Sequence, residues 1–492
     1  MANRISRGIF WTTLGTVSRN VVGLLQVAIL TRFLLKEEFG IIAIANIFLT
    51  FTNLFLDMGM AEGVMYKQDI SKREYSSIFW LNIFFGVILT LMLFVLSPYL
   101  TKSYSSDDLT NIVRLICFTI FLNSLGTLSR TYSIKNTFFK RLSVIDILGS
   151  VITCFVAFIT AYKGYGAYSL AYSTLAGSIF INTVYLYYIS AVDRIISFHF
   201  SFKETYSYLK IGIYKVGSSV LDFFSRELDI LIISATLGLE FVGVYNIAKK
   251  IPTAMYSFVS PIVYRVFTPF FAEMNSNVLS IKSSYIKLSK ALSWVSFPMY
   301  FFLAAISSTI IVVVFGKEYL DGVPVMMIFC LKYAFNGVNG VCGSLQTALG
   351  RTDIGLKWTI YLIFSTLIVY WVTSLYGITI FLIGICVMIF VNIIALWILQ
   401  FKPMVKISLA EYLSIYSRAF IICAALAIIV YTIHPSASIS YSIFSFLCFV
   451  PLYLLLLLRT EDGKQIYNLA IDYNINSKIL KFIRRSARIN KL

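Results

Sequence analysis

Long apolar runs separated by short connectors, with the bases collected in the connectors, leave this chain few ways to fold. A helix crossing a hydrocarbon core about 30 Å thick needs about 20 mostly apolar residues. The 492 residues offer about fourteen such runs, near 9–34, 39–66, 78–99, 109–132, 142–162, 166–189 and 209–237 in the first half. The rest fall near 240–271, 290–315, 323–349, 355–375, 378–400, 413–433 and 440–458. Composition agrees: 59% of residues are hydrophobic and 13% charged, more apolar surface than a soluble domain can hide. The expected fold class is an all-α polytopic membrane protein. The second and eighth runs are long enough to be bent or tilted, and the eighth contains Pro252, Pro261 and Pro269.

A net charge of +18 could suit a nucleic-acid binder, but such a protein gathers its bases on one solvated face. Here they alternate with the spans. Among the connectors, one side holds only Lys36, Lys102, Lys163 and Lys317, and the other side holds the remaining bases outside the spans. By the positive-inside rule both termini are cytoplasmic, the expected location is the inner (cytoplasmic) membrane, and no nucleic acid is expected. The first run, after Arg4 and Arg7, reads as a retained signal-anchor without a cleavage site. The end of the chain, rich in Lys and Arg around Ile479, Leu480, Phe482 and Ile483, is expected to lie as a basic amphipathic helix on the anionic inner leaflet.

A shift of 203 residues lays the first two runs on the seventh and eighth without a gap. Gln26-Val-Ala-Ile-Leu-Thr falls on Asp229-Ile-Leu-Ile-Ile-Ser, and Glu37, Gly40 and Ala45 fall on Glu240, Gly243 and Ala248. Both units start on the same side, so the repeat is parallel. The expected domains are six-helix bundles at 1–200 and 205–400, two additional helices at 401–458, and a cytoplasmic tail at 459–492.

Ionisable residues inside a bilayer are costly and usually face a bundle interior or a wet cavity. They concentrate in the first, second, seventh and eighth runs. Thr12, Thr16, Arg19, Gly23 and Gln26 share one helical face, and their repeat mates Lys215, Ser219, Asp222, Arg226 and Asp229 share another. The second run offers Asn46, Thr50, Asn53 and Asp57; the eighth offers Lys249, Thr253, Tyr256 and Ser260 at the mated positions, with Lys250 beside them. Arg19, Lys249 and Lys332 fall near mid-membrane by helical rise. These stripes predict a hydrophilic cavity. The competing reading is of ion pairs that only hold the bundle, Asp222 with Arg226 and Arg19 with Asp57. The excess of bases over acids favours an anionic ligand.

No GxxxxGK[ST] phosphate loop, GxSxG or HExxH occurs, and neither His199 nor His434 starts an HxxxxD. The seven cysteines lie in apolar runs without metal spacing. A transporter without nucleotide, metal or other cofactor is expected rather than an enzyme.

The motifs, taken in order, resemble the oligosaccharide flippases (Wzx-type) of the multidrug/oligosaccharidyl-lipid/polysaccharide superfamily, above all the colanic-acid and teichuronic-acid exporter branch. They are Gly8-Ile-Phe-Trp11, Leu30-Thr-Arg32, Glu37-Glu-Phe-Gly40, Asp57-Met-Gly59, Phe79-Trp-Leu-Asn82, Gly164-Tyr-Gly-Ala-Tyr168-Ser-Leu170, Tyr245-Asn-Ile-Ala-Lys249, Arg265-Val-Phe-Thr-Pro269, Phe315-Gly316 and Ala348-Leu-Gly-Arg-Thr-Asp353. The chain departs at Thr31, Lys36 and Tyr168, where the family often has Ala, Pro and Trp. The resemblance implies two six-helix lobes with alternating access and a polyprenyl diphosphate (undecaprenyl type) carrying a short oligosaccharide as cargo. Membrane lipids, a coupling proton or sodium ion, and the polysaccharide polymerase machinery are the other partners it implies. The substrate-binding candidates are then Arg19, Gln26, Asn46, Asn53, Lys215, Arg226, Lys249, Lys250, Tyr256 and Lys332; the ion-coupling candidates are Asp57, Asp222 and Asp229. Peptidoglycan-precursor export and drug or cation antiport remain the alternatives.

Overall fold

The computed structural model describes residues 2–104, 106–274, 278–433, 438–460 and 463. Among these every regular element is helical. The elements are α1 (Ala2–Leu30), α2 (Lys36–Asn53), α3 (Met60–Tyr66), α4 (Lys72–Thr101), α5 (Asp107–Ile116), α6 (Phe118–Lys135), α7 (Phe139–Tyr162), α8 (Tyr168–Tyr187), α9 (Phe202–Thr236) and α10 (Leu239–Glu273). They continue with α11 (Val278–Ala305), α12 (Ser307–Ile310), α13 (Val323–Asn339), α14 (Val341–Ala348), α15 (Thr352–Ser374), α16 (Ile378–Leu396), α17 (Lys402–Val405), α18 (Leu409–Ser414), α19 (Ser417–Ile433) and α20 (Ile439–Arg459). The basic tail expected to be amphipathic lies outside the described residues from 464 onward.

Among the described residues ten helical stretches are long and apolar enough to cross a membrane, eleven if a pair bent by 64° between residues 280–305 and 307–315 counts as one span. Length and apolarity alone do not reach fourteen. The long helices they leave out are α2, α9 and α10. These are the helices loaded with charge: Lys36, Glu37 and Glu38 on α2, Lys215 through Asp229 on α9, Glu240, Lys249 and Lys250 on α10. The expected ninth span is therefore not straight; its bend falls at Ile306. The second is broken outright: α2 stops at Asn53, Met58 and Gly59 take left-handed backbone (φ 47° and 71°), and α3 starts afresh. The eighth, by contrast, runs unbroken as α10 through Pro252.

The described residues form two compact units, one of those within 2–250 with 359–385, the other of those within 251–358 with 386–463. In the first, α1 packs on α7, α7 on α8, α4 on α6, α6 on α8, and α3 on α9. Small side chains let the backbones close in, as membrane helices require when lipid supplies no hydrophobic drive for their association. The tightest approach is reciprocal. A Cβ on Gly40 would lie 2.0 Å from the Leu239 carbonyl oxygen, and one on Gly243 would lie 1.9 Å from that of Lys36. Lys36 Nζ also lies 3.5 Å from a Glu240 carboxylate oxygen. The starts of α2 and α10 thus cross backbone to backbone. Gly59 makes a second such contact at the far end of the break, against Gly212 of α9.

The same unit has a polar knot at the start of α4. Ser71 and Glu74 cap that helix reciprocally. Ser77 Oγ donates to Glu204 at 2.7 Å, and His199 Nε2 lies 3.2 Å from the other Glu204 oxygen. Arg141 holds Asp193 through two hydrogen bonds of 2.6 and 3.1 Å, with its guanidinium over the Tyr188 ring. In the second unit, α11 packs on α13 and α19, and α19 on α20. Tyr300 Oη donates to the Pro252 carbonyl there at 3.5 Å.

Candidate functional site

α1 meets α7 at two close approaches, Gly8 against Phe139 and Gly15 against Ser143. Gly15 leaves room for Ser143 of α7, whose hydroxyl donates to the Trp11 carbonyl at 2.6 Å. One turn further on both helices, Arg19 meets Asp146 at 3.3 Å. Arg130 of α6 reaches the same carboxylate, at 3.2 Å from Oδ2 and 3.5 Å from Oδ1. The Arg19–Asp57 pair of the competing ion-pair reading does not form; Arg19 pairs with Asp146 instead. Asp57 sits in the break of the second span, where its carboxylate accepts the Gly59 and Ala61 amides at 3.0 and 3.4 Å and starts α3. A carboxylate held by the N–H groups of a new helix is in its favoured place.

Asp222 and Arg226, one turn apart on α9, make no ion pair among the described residues; both are exposed. Lys215 instead reaches Glu62 of α3 at 3.2 Å, with both side chains about half exposed. Asp229 is buried, and its oxygens are occupied: Tyr245 Oη donates at 2.8 Å, the Ile230 amide at 2.8 Å, and Lys249 Nζ lies at 3.5 Å. Lys249 and Asp229, candidates for different roles, are thus one ion pair. Lys250 is partly exposed beside them. On α2, Asn46 is exposed while its flanking isoleucines and alanines are buried. Asn53 joins a ladder in which Asn123 donates to it at 3.3 Å and Asn182 donates to Asn123 at 3.0 Å. Gln26 is partly exposed on α1. Lys332 and Tyr256 belong to the second unit. There Tyr256 stacks on Tyr333 with ring centroids 5.0 Å apart, and Lys332 Nζ lies 5.3 Å from the Phe329 ring centre. No trio of metal-ligating side chains occurs among the described residues.

The sequence model of a family described as "Polysaccharide biosynthesis protein" matches residues 29–324. The chain belongs to this family. The teichuronic acid biosynthesis protein TuaB of Bacillus subtilis (strain 168) is 26% identical over 454 residues, covering 89% of this chain and 90% of that protein. The lipopolysaccharide biosynthesis protein WzxC of Escherichia coli (strain K12) is 23% identical over 412 residues, 82% of each. Among solved structures, the lipid II flippase MurJ in an inward closed conformation aligns over 92% of this chain and 98% of its own, with a TM-score of 0.74 at 16% identity. The chain therefore shares the multi-pass helical fold of that flippase.

Several residues of this polysaccharide-family chain escaped the stripe reading. Asp146 stands alone in its span and Arg130 near the end of another, so neither belongs to a repeat-mated face. Asn123 and Asn182 are single amides in apolar helices, and Tyr245 lies one turn from Lys249. A polar residue marooned in an apolar helix was the available signal, since a buried amide or carboxylate must find a partner on a neighbouring helix.

Proposed function

We propose that the chain moves a polyprenyl-diphosphate-linked oligosaccharide from the cytoplasmic to the outer leaflet of the inner membrane by alternating access. Family membership supports the cargo class. The observation that carries the reading is the exposure of Arg19, Arg130, Lys215 and Arg226 on helices of a membrane protein. A diphosphate inside a membrane requires cationic donors of this kind. The repeat supports two halves, 1–200 and 205–400, related by an axis along the membrane normal and rocking against each other, with 401–458 appended. The distribution of bases supports cytoplasmic termini and a basic tail on the inner leaflet. Of the three carboxylates proposed for ion coupling, Asp222 is the one without a hydrogen-bond or ion-pair partner among the described residues. It is the first choice for a proton or sodium ion.

The missing phosphate loop leaves the membrane potential and ion gradients as driving forces. One charge crossing the full potential is worth about 2.3 kcal/mol per 100 mV, and the diphosphate is an anion leaving an inside-negative compartment. Purified protein in liposomes, with labelled lipid-linked oligosaccharide, a valinomycin-set potassium potential and no nucleotide, is expected to transport faster as the inside becomes more negative. A strict requirement for ATP would refute the secondary-carrier reading. Lipid II and a cationic drug, offered in the same liposomes, are the comparison cargoes; preference for either would replace the proposed one.

A further inference from the structure

Pro98 stands inside α4, close to the end of that helix at Thr101. A proline has no N–H, so the carbonyl four residues back, that of Phe94, loses its helical bond. The Ser97 hydroxyl takes the place and donates to Phe94 O at 2.8 Å. With its proton committed there, the same oxygen can only accept from elsewhere. Arg114 Nε of α5 donates to it at 3.3 Å. The guanidinium then lies 5.2 Å from the centre of the Phe94 ring, a favourable place for a cation. Ser97 is fully buried, so the proline and the serine together fix where Arg114 points. An arginine that only snorkels to water from the end of a span needs no such support.

Arg114 and Lys102 line one groove of about 630 Å³, with Thr101, Thr110 and Asn111 between them. That is the size of a small-molecule site. No described acid lines it; Asp108, at the start of α5, accepts from Tyr168 at 3.2 Å. The terminal nitrogens of Arg114 have no protein partner among the described residues, and Lys102 is exposed. Depth along the helices gives the groove a direction. Arg114 lies seven residues after α5 begins at Asp107, and Phe94 seven before α4 ends. Both therefore stand about 10 Å along their helices from the connector. Beyond them the wall is aromatic. Phe118 meets Phe94 edge-on with ring centroids 6.3 Å apart, and the two rings are 49% and 38% exposed. Cations at the rim and bare hydrocarbon further in follow the order of a phospholipid, headgroup first and acyl chain below.

We propose that Arg114 and Lys102 bind the phosphate of an anionic phospholipid whose acyl chain lies along Phe94 and Phe118. Placement in the leaflet away from the cytoplasm rests on the proposed function, through the distribution of bases; the site itself rests on the geometry. The planar fork of Arg114 suits two phosphate oxygens, and Lys102 adds a point charge at the rim. Ser97 acts as a positioning residue. Every residue lining the groove comes from α4, α5 or the connector between them, so a lipid held here ties the ends of two successive elements together and stabilises the folded chain by mass action.

The test is equilibrium binding of fluorescent phosphatidylglycerol to the delipidated full chain in neutral detergent, with the thermal midpoint read in parallel. Unlabelled phosphatidylglycerol, phosphatidylcholine and inorganic phosphate are the competitors. R114Q is expected to weaken binding about tenfold, the usual cost of one charge-assisted hydrogen-bonding partner, and to lose most of the rise in midpoint that the lipid gives the parent. K102Q is expected to weaken it less. S97A is expected to weaken it although both charges remain, because Arg114 is no longer held in place. Phosphatidylglycerol displacing the probe ahead of both other competitors supports the lipid site. Phosphatidylcholine competing equally well overturns it in favour of unspecific lipid contact, and inorganic phosphate competing equally well overturns it in favour of a free anion. Folded R114Q that binds like the parent overturns it too. If R114Q does not fold, K102Q and S97A decide by the same signs. Sidedness and transport play no part in a detergent measurement, so failure of the topological reading or of the liposome experiment and failure of this one are separate results.

Discussion

Asp57 and Glu204 show how little a carboxylate's place in the sequence says about what it does. Asp57 reads as one rung of a polar stripe, yet its oxygens start a helix, because the left-handed Met58–Gly59 turn brings two amides to it. Glu204 lies just ahead of the seventh span. The Ser77 hydroxyl first, and then His199, hold its carboxyl below the usual carboxylate range. A depressed folded-state value means this anchor contributes fully above the ordinary pKa of a glutamate and is lost as pH falls through the lowered one. Protection of the amides in the segment 193–201, read as exchange relative to the intrinsic rate at each pH, is expected to hold at neutral pH and to fall as the pH drops below the ordinary glutamate range, with E204Q removing most of that dependence. At this scale the sequence yields the faces but not the pairs. The period of a helix puts Arg19 with Gln26 and Lys215 with Asp222 on common stripes. Which residue on another helix meets each of them depends on contacts such as Gly15 against Ser143, and no single-helix pattern encodes those. For the same reason Lys249 and Asp229, assigned to different tasks from their stripes, prove to be partners.

Helices were the most legible level. Almost every apolar run became a helix near its expected place, because run length against bilayer thickness is a strong constraint. Interruptions were less visible. The second run breaks where Asp57, Met58 and Gly59 can form a turn, and the ninth bends at Ile306, although both are long and apolar enough on average to read as spans. Composition registers the cost of crossing lipid, not backbone geometry. Elements also differ in how much crowding they tolerate. Gly40 has a neighbouring carbonyl where its Cβ would be, whereas Gly217 of α9 has nothing within 4 Å. Gly40→Ala is expected to lower stability by about 1–3 kcal/mol, the range for overpacking a close contact. Gly217→Ala is expected to be neutral or to gain up to about 1 kcal/mol from helix propensity. Thermal unfolding of the two variants in detergent, measured side by side with the parent, checks both signs; equal melting points would mean the starts of α2 and α10 do not bear on each other in the membrane.

For the molecule as a whole, the placement of bases predicts sidedness. Reporter fusions after Lys72, Lys140 and Lys287 are expected to report the cytoplasm, and fusions after Lys102, Lys163 and Lys317 the opposite side. Two successive fusions on one side would break the fourteen-span reading and would put α2, α9 or α10, the charged helices, in doubt first. The internal repeat carries a different kind of information. The shift that lays Gly40 on Gly243 also lays Lys36 on Leu239, so the reciprocal contact between glycine and carbonyl is its own image. Contact of one patch with a copy of itself is the signature of an isologous interface between identical subunits. Gene duplication would then have joined two chains that already dimerised through this patch. At each glycine the other copy's backbone leaves no room for a side chain, so a change in either repeat unit at this patch is felt by the other.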